Sequence, residues 1–128
     1  MITPIDFLTF ANDLLTENGE EIVLRNSISR AYYYAFHHIR ENLGDKFKRY
    51  KKEHLRKNSK EKISDHRLIF KFLMENYRID LGNIMHSMYN RRNDADYELK
   101  QDFEKNDAEE FIEDAKAFIS DFDASGLA

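Results

Sequence analysis

Arginine, tyrosine and histidine crowd the stretch Ser29-Arg30-Ala31-Tyr32-Tyr33-Tyr34-Ala35-Phe36-His37-His38. On a helix, at about 100° per residue, Arg30 and His37 point almost the same way, with Ser27 and Tyr34 on the same side. An imidazole can move a proton to or from a reacting oxygen near neutral pH, and a guanidinium can hold phosphate charge. A cation, a phenol and an imidazole therefore share one side of a half-buried helix, the most chemically suggestive feature of the sequence. A second polar group follows at Arg92-Asn93-Asp94-Ala95-Asp96-Tyr97, where Arg92 and Asp96, one helical turn apart, can pair. Metal chemistry has little to work with. No histidine carries a glutamate three residues before it, as a di-iron bundle requires, and adjacent His37 and His38 cannot grip one ion from one helix. Neither a metal nor another cofactor is expected.

These groups must be held by helices, because the chain has one proline, four glycines and no β-branched alternation over a strand length. The expected fold is an all-α, antiparallel up-and-down bundle of four to five helices in a single domain spanning residues 1–128. Helix one opens with Thr3 as cap, Pro4 at the first position and Asp6 completing a capping-box pair. It carries Ile5, Phe7, Leu8, Phe10, Ala11, Leu14 and Leu15 as a broad apolar stripe and closes at Asn18-Gly19. The second helix runs from about Glu20 to Leu43, with Leu24, Ile28, Ala31, Ala35, Ile39 and Leu43 toward the core. So short a turn makes it an antiparallel neighbour of the first. A third helix starts near Ser64-Asp65, with His66 helping to begin it. Another spans about Leu81 to Leu99 and carries Leu81, Ile84, Met85, Met88, Ala95 and Leu99 in register, with Arg92 inside the stripe. A buried guanidinium needs a partner, which Asp96 supplies. The last helix, capped by Asn106 with Glu109 three residues on, buries Phe111, Ile112, Ala115, Phe118 and Ile119 and frays after Phe122.

Between the second and third of these helices, residues 45–62 read as a basic connector, part of which can form a short helix. The segment holds nine of the chain's 20 basic residues against Asp45, Glu53 and Glu61, which makes it about +6 in a chain of net charge −4. Lys46, Lys48, Arg49, Lys51 and Lys52 are the candidate nucleic-acid-binding residues, and a solvated loop is the plainer alternative. Charged residues are 34% of the 128 and aromatics 13%, too much core-forming material for a disordered chain. The longest apolar run, Ala31 to Phe36, is far short of the ~20 residues of a membrane span. With no cysteine and no basic leader ahead of Thr3-Pro4, a cytoplasmic location is expected.

Taken together and in order, the Ser29–His37 motif, Asp65-His66, the Arg92–Tyr97 motif and the acidic closing segment from Asp107 to Phe122 resemble the HEPN domain family. The similar branch has a Ser-Arg-x-Tyr-Tyr-Ala-x-Phe-His helix and a later Arg-x-x-Ala-Asp-Tyr, and the resemblance covers Ile5 to Phe122. It implies a helical bundle that dimerises, found in toxin-antitoxin and defence systems, often beside a small nucleotidyltransferase. Many such proteins are metal-independent endoribonucleases that use an Arg, four to six residues, then His, from both copies of a dimer. Here Arg30 and His37 have that spacing and are, by this resemblance, the candidate catalytic residues for RNA cleavage; Arg49 and His54 also have it, while Asp96 stands where that branch has a histidine after Arg91. In the family motif Tyr34, Arg92, Asp96 and Tyr97 are read as structural. Two functions stay open: an RNA-cleaving homodimer, or a non-catalytic module that binds a nucleotidyltransferase or another defence partner. For Arg30, Tyr34 and His37, the alternative to catalysis is a buried hydrogen-bond network between the helices that carry the two motifs.

Overall fold

The computed structural model describes residues 1–60 and 62–125. They form an all-helical bundle of six helices: α1 Pro4–Leu15, α2 Glu21–Leu43, α3 Asp45–Lys57, α4 Asp65–Asn76, α5 Ile79–Tyr97 and α6 Lys105–Ala124. The sixth element is α3, which occupies most of the segment read as a connector. Its Lys, Arg and Glu residues are good helix formers, and Phe47, Tyr50 and His54 make a narrow inward side. Phe47 and His54 are buried, and the Tyr50 ring lies 5.0 Å from Phe72 of α4 with its hydroxyl donating to Glu75 at 2.8 Å. So the basic segment is folded against the body rather than left as a loop. Glu61, one of its three acids, lies outside the described residues. Gly44 makes the sharp break between α2 and α3 at φ 51°, a conformation open to glycine and strained for other residues.

α2 is the spine. Ser27 donates to the Ala11 carbonyl at 2.8 Å while Phe7 packs on Tyr33 and His37, so α1 and α2 run antiparallel as expected. Packed neighbours α4 and α5 are antiparallel too: Phe70 meets His86, and His66 meets Tyr89. Gly82 lets these two approach, because a Cβ there would lie 2.8 Å from the Phe70 carbonyl oxygen. α5 and α6 are joined by Arg78 to Asp121 and Arg91 to Asp114, and α6 returns parallel to α2, with Phe103 bonded to Glu21 at one end and His38 to Asp123 at the other.

The helix ends follow the sequence in part. Thr3 and Asp6 cap α1, the Thr3 N–H donating to the Asp6 carboxylate at 2.7 Å. α1 stops at Leu15, short of Asn18-Gly19, and its stripe is narrower than expected, since Ile5 and Phe10 are exposed. α5 starts two residues early and ends before Leu99, which is exposed, as is Ile84. α6 begins before Asn106. The Asp107 carboxylate accepts from the Glu104 N–H at 2.8 Å, so the cap is Glu104, two residues before Asn106, and the Phe103 N–H donates to Glu21.

Candidate functional site

The polar residues of the two motifs meet where α2 crosses α5 and the start of α4. Arg92 is only 6% exposed, sits on the inner side of α5, and pairs with Asp96 at 3.1 Å. Asp96 also accepts from the Ser29 hydroxyl at 3.3 Å, which joins the two motifs directly. The Arg92 guanidinium faces three rings, Tyr89 at 5.2 Å, Tyr32 at 5.3 Å and Tyr33 at 5.5 Å. These cation–π contacts partly replace the water lost on burial, and among the described residues its Nε has no hydrogen-bond partner. Arg92 and Asp96 are thus committed to internal contacts. Tyr97, read with them as structural, is 70% exposed at the end of α5.

His66 is the hub of this cluster. Ser64, one residue before α4, caps the helix by accepting the Arg67 N–H, so His66 is not needed there. Its ring instead stacks on Phe36 at 4.1 Å and on Tyr89 at 5.2 Å. Burial, reinforced by Arg92, pushes its pKa down to about 4, so the ring is neutral at neutral pH. Burial also raises the Tyr32 phenol far above its ordinary value. A protonated phenol facing a neutral imidazole at 2.7 Å donates to His66 Nδ1 and leaves the ring proton on Nε2.

Arg30 and His37 occupy the rim of the same face, both half-buried. The Arg30 guanidinium lies over the Tyr33 ring at 5.2 Å and reaches the Ser29 hydroxyl at 3.4 Å; among the described residues it has no ion-pair partner. The His37 ring is stacked on Phe7 of α1 at 4.9 Å and lies 6.0 Å from Tyr33. Arg30 and His37 therefore flank one tyrosine without touching. Burial, then the charge of Arg40, holds the His37 pKa below its ordinary value. Arg40 donates to His37 Nδ1 at 3.4 Å. Tyr34, expected beside them, is instead buried near Asp123 of α6; burial, and then the charge of Asp123, raises its phenol pKa. Ser27, also grouped with them, bonds α1. The side read as one from the sequence is divided because α1 and α6 each cover part of it.

Arg40 links this rim to α3. Asp65 receives Lys51 at 2.8 Å and Arg40 at 3.7 Å. Lys48 makes a loose contact with Asp45 at 4.0 Å, whereas Lys46, Arg49 and Lys52 are exposed and, among the described residues, unpaired. The five basic candidates thus lie on one helix, which is linked to the Arg30–His37 rim through Asp65 of α4 and Arg40. Among the described residues no three His, Asp or Glu side chains are grouped closely enough to hold a metal ion.

Sequence reasoning passed over Arg25. It is 6% exposed and donates to the carbonyls of Ala95 and Glu98 at 3.0 Å each, and also to Gln101, while its guanidinium lies 4.7 Å from Phe103. It satisfies the carbonyls that the end of α5 leaves open. Its signal was its position: seven residues before Tyr32, it falls on the same side of α2 as the buried rings.

Compared with protein-family models, curated proteins and solved structures, the chain matches none. Among the described residues no helix is long and apolar enough to cross a membrane.

Proposed function

We propose that this protein is a HEPN-like toxin or defence protein that cleaves RNA in the cytoplasm as a homodimer and without a metal ion. One observation carries the reading. Arg30 has no carboxylate partner among the described residues and His37 is kept neutral by burial and Arg40, and both groups stand at the edge of one half-exposed tyrosine. A guanidinium already held by a carboxylate would have to break that pair to bind phosphate; Arg30 has no such cost.

Arg30 would take the non-bridging oxygens of the scissile phosphodiester, while Arg40, shared with Asp65, faces a neighbouring phosphate. The hydrogen bond from Arg40 to His37 Nδ1 is long, so a phosphate that draws the guanidinium away leaves that nitrogen free to accept a proton. His37 Nδ1 then removes the ribose 2′-hydroxyl proton as the 2′-oxygen attacks phosphorus. The bond to the 5′-oxygen breaks, and that oxygen is protonated by the imidazolium of a second copy or by water. The products are a 2′,3′-cyclic phosphate and a 5′-hydroxyl end. The guanidinium charges stabilise the extra negative charge of the pentacoordinate transition state. Lys46, Arg49 and Lys52 lend the sequence-independent attraction of α3 for the strand.

Incubation of the purified protein with total RNA in EDTA tests the proposal. Cleavage should occur and should fall at least a hundredfold in His37→Ala, with the variant folded by circular dichroism. Intact RNA, or unchanged cleavage by His37→Ala, removes the enzymatic reading.

The second reading, a non-catalytic module partnering a nucleotidyltransferase or another defence protein, has its own support. Arg92 and Asp96 are held in packing contacts, and the outer side of α6 exposes Glu109, Glu110 and Glu113 to a basic partner. Co-purification of the product of a neighbouring nucleotidyltransferase gene, lost when these acids are reversed in sign, would favour it.

A further inference from the structure

Beside the Arg30–His37 rim lies a cleft of about 620 Å³ lined by Arg40, Glu41, Gly44, Phe47, Lys48, Lys51 and Asp65. The end of α2, the first turns of α3 and the start of α4 form its walls. Its size falls within the roughly 300–1,000 Å³ of ordinary ligand sites. Three cations from two helices converge on it, and two of them, Arg40 and Lys51, hold one carboxylate, Asp65. All three groups of that contact are 30–42% exposed at the side chain, so Asp65 is held by a solvent-screened pair rather than a buried one.

We infer that this cleft is a phosphate-binding subsite in which the Asp65 carboxylate occupies the place a phosphate would take between Arg40 and Lys51. A carboxylate offers two oxygens and one charge. A strand phosphodiester offers the same two free oxygens and one charge, and a terminal monoester offers three oxygens and up to two charges, so either can take the carboxylate's place on the guanidinium and ammonium. Lys48 stands on the same wall with only a 4.0 Å contact to Asp45, leaving it available to the incoming group. Because Arg40 also touches His37, a phosphate here would sit next to the proposed reacting group. The subsite deepens the proposed function by specifying a strand phosphate one step from the scissile bond. Its binding chemistry does not require that cleavage occur.

The experiment measures binding of inorganic phosphate and adenosine monophosphate by calorimetry, and of a short fluorescent 2′-O-methyl RNA, which cannot be cleaved, by anisotropy. Asp65→Asn removes the competing charge and should tighten binding about fivefold, the effect of one unit charge at about 4 Å in water. Lys51→Gln and Lys48→Glu should weaken it by a similar factor or more. Lys48 is exposed, so Lys48→Glu keeps a test available if Asp65→Asn melts early. A larger gain for RNA than for adenosine monophosphate identifies a strand phosphate, and the reverse identifies a free nucleotide. No tightening with a folded Asp65→Asn, or unchanged binding by Lys48→Glu, overturns the subsite. RNA cleavage by the wild type together with that outcome would leave the proposed function standing. Tightening without any cleavage would leave the subsite and remove the enzyme.

Discussion

Replacing Asp96 by alanine separates packing from catalysis in the central cluster. The substitution removes the carboxylate that pairs with buried Arg92 at 3.1 Å and accepts the Ser29 hydroxyl at 3.3 Å. Breaking one side of a buried ion pair typically costs about 3–5 kcal/mol, because the remaining charge stays out of water. Two features pull the cost toward the lower end. The Asp96 side chain is 25% exposed, so solvent can enter the space it leaves, and three tyrosine rings remain around the guanidinium. A loss of about 3 kcal/mol is therefore expected, which for a domain of this size lowers Tm by roughly 10 °C. The assay is thermal and urea unfolding followed by circular dichroism. Arg92→Met removes the charge that needs the partner, so Asp96→Ala should cost markedly less in that background than alone. This non-additivity is the signature of the pair. A Tm within about 2 °C of the wild type for Asp96→Ala, or strict additivity with Arg92→Met, would refute the argument that the second motif is structural. The same variant assayed for RNA cleavage well below its Tm should retain activity, since neither Arg30 nor His37 touches Asp96.

Two further outcomes follow from the buried polar groups. Arg25→Met keeps most of the side-chain volume but leaves the Ala95, Glu98 and Gln101 carbonyls without their donor, and should cost about 3 kcal/mol in urea unfolding. Stability should also fall on acidification: the folded pKa of His66, about 4, lies below the ordinary value of 6.5, so between these limits the unfolded chain binds more protons than the folded one. Its contribution is therefore complete above about pH 6.5 and is lost as pH falls toward 4, by about 2 kcal/mol after allowance for the half-exposed ring. His66→Phe, which keeps a ring against Phe36 and Tyr89, should flatten that slope, and an unchanged urea midpoint between pH 7 and 4.5 in the wild type would sink the argument.

The helical period of the apolar residues was enough to place five helices and the antiparallel neighbours, because Leu68, Ile69, Phe72 and Leu73 or Phe111, Ile112, Ala115 and Phe118 can be buried together only on a helix. α3 was harder to read. Its burial rests on Phe47, Tyr50 and His54 among seven cations, and charge dominates any window average. The Arg92–Asp96 pair was legible because both partners lie one turn apart on the same helix. Arg25 and His66 were not, since their partners stand at separations of 34 to 76 residues and depend on how α2 crosses α4 and α5. The misplacement of Tyr34 has a related cause. The helix wheel sets directions on α2, but where α1 ends and α6 begins around that wheel is fixed by packing, and Tyr34 falls on the α6 side of the boundary.

The two motifs are thereby given different physical roles by the same crossing. On its inner side, Arg25 and Arg92 are both 6% exposed and held by carbonyls, a carboxylate and rings, so α2 is fixed in rotation and in height against α5. An error of one residue in that register would turn every side chain of α2 by about 100°. On the outer side of the same helix, Arg30, Tyr33, His37 and Arg40 remain half-buried, and their spacing is whatever the locked register dictates. A buried charge that stabilises little can still determine which way its neighbours face. This is why disruption of Arg92 or Asp96 should be judged first by unfolding, and disruption of Arg30 or His37 first by chemistry.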